Sequence, residues 1–190
     1  MRLSRSVLCG LAMAAVPALA QVPPLQLPAA SPRATVTQRV GLTDVTIRYS
    51  RPAVNGRKVW GALVPFGEVW RTGADENTTL SFTSPVIVGG KTLPAGTYGL
   101  HTIPGEKEWT VILSNEAGAW GSFSYDAKED AARFTAVPRE GPQEERLLFT
   151  LDDPTDRSVA VTLAWEKLRL SFPLEVDTKA VVLSSLREQL

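Results

Sequence analysis

The side chains best suited to chemistry gather in one stretch, residues 59–79, V-W-G-A-L-V-P-F-G-E-V-W-R-T-G-A-D-E-N-T-T. It carries Trp60 and Trp70, then Arg71, then the acidic-polar run Asp75, Glu76 and Asn77. A guanidinium presents its donors in a planar fork that grips a carboxylate or phosphate at two points. Arg71 therefore has two readings: an anion clamp for a ligand, or a partner for Asp75 or Glu76 that pins the loop. A second irregular stretch, 115–130, carries Trp120, Tyr125 and Asp126. Flat rings beside polar groups suit a sugar or another small polar molecule, and Trp60, Trp70, Tyr98, Trp120 and Tyr125 are candidate walls. Trp109 and Trp165 alternate with Val and Leu, which assigns both to the interior. The candidate ligand-binding residues are thus Trp60, Trp70, Arg71, Asp75, Glu76, Asn77, Tyr98, Trp120, Tyr125 and Asp126. The two stretches are expected to meet and form one pocket, with Trp70, Trp120 and Tyr125 as walls, and Arg71 held by Glu76.

Other chemistries have less to work with. One histidine and one cysteine do not supply the usual zinc sets, so no metal or cofactor is expected. Asp152, Asp153 and Asp156 surround Pro154 and read as an acidic turn rather than a calcium loop. His101 is the sole base for a Ser-His-Asp arrangement, and no G-x-S-x-G occurs. Glu68, Asp75, Glu76 and Asp126 leave a glycosidase-type carboxylate pair open, but no catalytic residue is assigned.

The elements that must position these groups are strands. Glycines at 61, 67 and 73 punctuate the organising stretch as an irregular loop. On either side apolar residues recur every second position: Val36 and Val40; Val45, Ile47 and Tyr49; Leu80 and Phe82; Val86 and Val88; Trp109, Val111 and Leu113; Leu147, Phe149 and Leu151. Residues 97–103 are mixed on both faces, which predicts a central strand covered on both sides. Residues 159–165 and 168–176 alternate with opposite parity, which places a hairpin turn or a bulge at Glu166-Lys167. Pro173 on the polar face favours an edge position. Asp177 or Thr178 could cap a terminal helix in which Val182, Leu186 and Leu190 recur every four residues. About ten short strands and one short C-terminal helix make an all-β fold, an antiparallel β-sandwich or jelly roll, with a flattened barrel as the alternative.

Residues 1–20 read as a signal peptide: Arg2 and Arg5, an apolar run from Val7 to Val16 that is too short to span a bilayer, then Ala18-Leu19-Ala20. Cleavage would remove Cys9 and leave a slightly acidic chain without a disulfide, located in the periplasm or secreted and with no membrane span. Residues 21–32, with Pro23, Pro24, Pro28 and Pro32, form a proline-rich leader. Residues 33–176 form the sandwich domain and 177–190 the helix. Lys and Arg number 20 and Asp and Glu number 20, so no basic surface argues for nucleic acid.

In this order, the motifs Val45-Thr46-Ile47-Arg48-Tyr49-Ser50-Arg51-Pro52, Gly56-Arg57, Val69-Trp70-Arg71-Thr72-Gly73-Ala74, Leu93-Pro94-Ala95-Gly96-Thr97-Tyr98, Ile103-Pro104, Trp109-Thr110-Val111-Ile112, Trp120-Gly121 and Tyr125-Asp126 resemble a family of exported bacterial proteins known as domain of unknown function 2911. The resemblance runs from about Ser31 to Val176 and implies a signal-bearing single domain with no settled activity. Asp75 and His101 depart from the family pattern, where asparagine and phenylalanine are more usual, and this speaks against a catalytic role for either. The leading expectation is a binding module for a small polar ligand or glycan. A carbohydrate- or ester-active hydrolase and a structural envelope protein are the alternatives. The intact mass of the exported product should begin at Gln21; retention of residues 1–20 would refute cleavage at Ala20.

Overall fold

The computed structural model describes residues 27–188. The signal sequence, Cys9, Leu190 and the first part of the leader lie outside the described residues.

Ten strands form two antiparallel sheets. The larger sheet contains β1 (Arg33–Val40), β2 (Thr43–Ser50), β3 (Thr79–Phe82), β6 (Gly96–Ile103), β7 (Trp109–Ser114) and β8 (Asp130–Ala136), in that spatial order. The smaller sheet runs β5 (Lys91–Leu93), β4 (Val86–Val88), β10 (Ser158–Glu175) and β9 (Arg139–Asp152). The apolar parity read from the sequence is the parity that is buried. Val45, Ile47, Leu80, Leu100, Val111 and Leu113 of the first sheet face Leu147, Phe149, Val161, Leu163, Leu170 and Leu174 of the second within one core. This is the all-β sandwich expected from the sequence. Strand β5 was not anticipated, and the two C-terminal apolar runs are a single strand.

Those runs join through a bulge rather than a turn. Glu166 adopts a φ of 52°, and the β9–β10 register shifts on both sides of it, between Ala164 and Glu166 and between Glu166 and Leu168. The left-handed residue changes which face points inward, so Trp165 and Leu170 both reach the core despite their opposite parity. Over the same span β9 leaves β10 and bonds elsewhere: Val54 N–H donates to the Glu145 carbonyl at 2.8 Å and Leu147 N–H to that of Pro52 at 3.0 Å. Pro173 does not sit on an edge strand, because β10 lies between β4 and β9. It falls between the ladder to β9, which reaches Arg169, and the ladder to β4, which begins at Leu174, so no paired position needs its missing N–H.

Strand β6 is interior, as its mixed faces predicted, and Tyr98, Gly99, Leu100, His101 and Thr102 are all buried. Its inner face meets the core. Its neighbour beyond β3 is the organising loop itself: Trp70 and Thr102 exchange backbone hydrogen bonds at 2.8 and 2.9 Å, and Gly67 N–H donates to the Pro104 carbonyl at 2.8 Å.

The loop is anchored by tryptophans. Trp60 lies edge-on to Trp70, Trp109 and Trp165, with ring centroids 5.8, 4.8 and 5.7 Å away, and Trp70 stacks on Trp165 at 5.9 Å. Trp109 comes from the larger sheet and Trp165 from the smaller, so the loop rings tie the two layers together. Edge-to-face pairs put the positive ring edge on a neighbour's negative face and add about 0.5–1.5 kcal/mol beyond area burial.

At the C-terminus, α1 (Thr178–Glu188) is capped by Asp177, whose Oδ1 accepts from Ala180 N–H at 3.0 Å. The expected stripe does not face the core: Val182 and Leu186 are exposed, and Val181 makes the contact. Trp109→Ala should destabilise the fold by about 3–5 kcal/mol in urea denaturation, since it opens the centre of the tryptophan cluster. A cost comparable to that of a surface substitution would show the cluster to be peripheral to stability.

Candidate functional site

The two irregular loops meet. Glu76 and Trp120 form an isolated antiparallel bridge, and Asn77 N–H donates to the Ala119 carbonyl at 3.3 Å. The Arg71 guanidinium carbon lies 6.0 Å from the centroid of the Trp120 ring, a cation–π placement. Trp120 is 62% exposed and stacks with Phe123, which is 86% exposed. Gly121, between them, has a φ of 74°, and a side chain there would press on the Phe123 ring.

The meeting does not make one pocket. The expected candidates separate into several settings. Trp60 and Trp70 turn into the tryptophan cluster, and Trp70 Nε1 donates to the Gly73 carbonyl at 3.1 Å. Arg71 sits between that cluster and Trp120. Glu76 and Asn77 wall a separate cleft of about 600 Å³ that opens on the outer face of the larger sheet, over Thr35, Arg48, Thr79 and Thr97. Tyr98 is interior, stacked on Phe82, and its hydroxyl donates to the Pro94 carbonyl. Tyr125 donates to the Asp130 carboxylate at 2.9 Å, and Asp126 caps the 3-10 turn Ala127–Glu129 by accepting from Lys128 N–H. Asp75 is exposed, with a φ of 58°.

The pairing of Arg71 with Glu76 is not formed. Glu76 is bonded to Arg33 of β1 instead. No carboxylate pairs with Arg71 among the described residues, and its Nε is buried without a partner. A separate cleft of about 330 Å³ is lined by Arg71, Trp70, Trp165 and Arg57. Arg57, exposed in the structure, was not among the candidates read from the sequence, where it stands only in the Gly56-Arg57 motif. The fold of residues 52–54 against β9 and of the loop against β6 brings Arg57 and Arg71 to the lining of one cleft.

Backbone strain concentrates here. Thr72 is β-branched yet has a φ of 55°, close to Asp75 with its 58°. Thr72 is held by bonds from its hydroxyl to Thr102 Oγ1 at 3.1 Å and to the Trp70 carbonyl at 3.2 Å. Such residues persist where their surroundings over-determine them, which occurs often at ligand sites.

The model of a family described as a protein of unknown function, DUF2911, matches residues 31–174. The chain belongs to the DUF2911 family. The match spans both irregular loops and all but the ends of the two sheets, so the tryptophan cluster and every cleft residue except Ala30 lie within the family domain. No curated protein and no solved structure matches this DUF2911 chain.

Beneath the second loop, on the outer face of β6, lies a buried polar pair. His101 is 2% exposed, its Nε2 is 3.5 Å from Asn77 Nδ2, and the Tyr125 ring covers it at 5.4 Å. Neither His101 Nδ1 nor Asn77 Oδ1 has a partner among the described residues. Gly99 is required alongside, since a Cβ there would collide with the Glu116 carbonyl oxygen. Burial pushes the His101 imidazole below its ordinary value of 6.5, against a smaller opposing pull from Asp130. Burial also raises the Tyr125 phenol, with the Asp130 hydrogen bond adding to the effect. The folded chain thus protonates His101 at lower pH than the unfolded chain does. This contribution to stability is complete above the unfolded value and declines as pH falls through 6.5, where only the unfolded state gains the proton. Between about pH 7.5 and 5.5 the urea midpoint should therefore fall for the natural chain and fall less for His101→Phe. Equal losses would place the acid sensitivity elsewhere.

Proposed function

We propose that this chain is an exported binding module for a small polar ligand or glycan, taken up in the cleft beside Arg71 and Trp70. One observation carries the reading: Arg71, half-buried, with its guanidinium against Trp120 and without a carboxylate partner among the described residues, is one of the residues lining a tryptophan-backed cleft. A concave site with apolar walls and a few convergent polar groups is the usual form of a small-molecule site. The strained turn at Thr72 and the anchoring of the loop on β6 hold Arg71 in place before any ligand arrives, which lowers the ordering cost of binding. Export rests on the charged, apolar and A-x-A segments at the N-terminus.

The loop carboxylates support binding better than hydrolysis, because Glu76 is engaged by Arg33 and Asp126 by the backbone of its own turn. Arg71→Ala leaves no carboxylate stranded. Its stability cost should accordingly stay near the value of one cation–π contact, about 0.5–1 kcal/mol.

A thermal-shift screen of small acids, glycans and peptidoglycan fragments tests the proposal. A ligand at a hundred times its Kd should stabilise the fold by about 2.7 kcal/mol. Arg71→Lys should lose most of that shift, because the ammonium keeps the charge but not the fork. A full shift in Arg71→Lys would remove Arg71 from the site.

A further inference from the structure

We propose that the occupant of the 330 Å³ cleft is a small cyclic oxyanion, gripped between Arg57 and Arg71 with its ring against the tryptophan wall. The inference rests on the binding reading above and specifies its ligand. The lining includes two arginines and no aspartate, glutamate or histidine. Elsewhere, Arg33 is paired with Glu76, Arg39 with Asp44, Arg133 with Asp130 and Arg169 with Glu144, whereas Arg48, Arg139 and Arg146 stand without a carboxylate partner among the described residues but line no tryptophan-backed cleft. The cleft arginines are held without being neutralised. Arg57 donates from Nε to the Val54 carbonyl at 3.0 Å and from Nη2 to the Ala53 carbonyl at 2.5 Å. Those bonds fix the fork but leave its full charge. Arg71 lies against the Trp120 ring and buries an Nε that bonds to nothing among the described residues.

Two arginines that line one small, partly apolar space give it a positive potential, which an anion between them neutralises. A carboxylate or a phosphate monoester satisfies both forks, since each accepts bidentate bonds. The remaining lining sets the body of the ligand. Trp70, Trp165, Leu63, Val64 and Pro52 offer flat and aliphatic surface. A volume of about 330 Å³ lies at the small end of the range for ligand sites, room for one ring and its acidic substituent. Asn55 and Ser31 supply neutral polar groups for hydroxyls.

The test is titration of the full chain, followed by backbone NMR shifts and calorimetry. The probes are phenylacetate, phenyl phosphate and glucuronate, with phenylacetamide and glucose as their uncharged counterparts. The anions should shift the amides of residues 53–57 and 70–74 and lose affinity steeply with added salt. Arg57→Gln and Arg71→Gln should each weaken them at least tenfold. Leu63→Glu, a change at an exposed cleft residue, should abolish anion binding with an unchanged melting temperature, because it supplies an internal carboxylate to the arginines. Comparison of phenylacetate with phenyl phosphate decides which oxyanion is preferred. Binding of glucose or phenylacetamide as tight as their anions, and sensitive to Arg71→Gln, would overturn the anion inference while keeping the cleft as a binding site. Anion binding indifferent to Arg57 and Arg71 would overturn the inference. Absence of binding by every probe would overturn it and the binding reading together.

Discussion

The packing of Trp60 and Trp70 between Trp109 and Trp165 is the contact on which the functional half of this molecule depends. A loop of this length has no regular ladder of its own, and the backbone bonds it makes to β6 are few. Its order comes from placing two large rings where the sheets would otherwise end in open space. Each ring brings a large apolar area and loses little side-chain freedom, so burial outweighs the entropy of fixing the loop. Trp60, Trp109 and Trp165 leave their indole N–H groups without hydrogen-bond acceptors among the described residues.

Once the rings are fixed, the rest of the loop has little choice. Trp70 must bond to Thr102, so Arg71 must emerge beside it, and Thr72 must take a left-handed turn to bring the chain back to β3. The second loop is then laid over the first through Asn77 and Ala119, with Trp120 covering the guanidinium. The bulge at Glu166 belongs to the same construction. It turns Trp165 inward at the point where β9 swings away to bond residues 52–54, the segment that carries Arg57 toward the cleft.

Some of this was legible. Alternation fixed which residues of β2, β7 and β10 are interior, because a strand facing one core permits a single parity. The opposite parities on either side of Glu166-Lys167 marked an irregularity before any coordinates, but could not separate a turn from a bulge. Both reverse the pattern, and only pairing with β9 distinguishes them. Pro173 misled for a related reason: its missing N–H excludes it from a ladder, and a strand in the interior of a sheet can still have a stretch where no ladder is made.

The sequence by itself determined the class of fold, the interior position of residues 97–103, a helix cap at Asp177 or Thr178 and the two stretches of chain outside regular structure. All of these follow from short-range pattern and from the chemistry of single residue types. Only the tertiary structure decided which side chains face one another. Glu76 was taken by Arg33 of β1 rather than by Arg71, five residues before it, and Arg57 was brought to the same cleft as Arg71. Ion pairs and clefts join residues far apart in the chain, and their partners are chosen by how the sheets pack. Proximity in sequence carries little information about that choice.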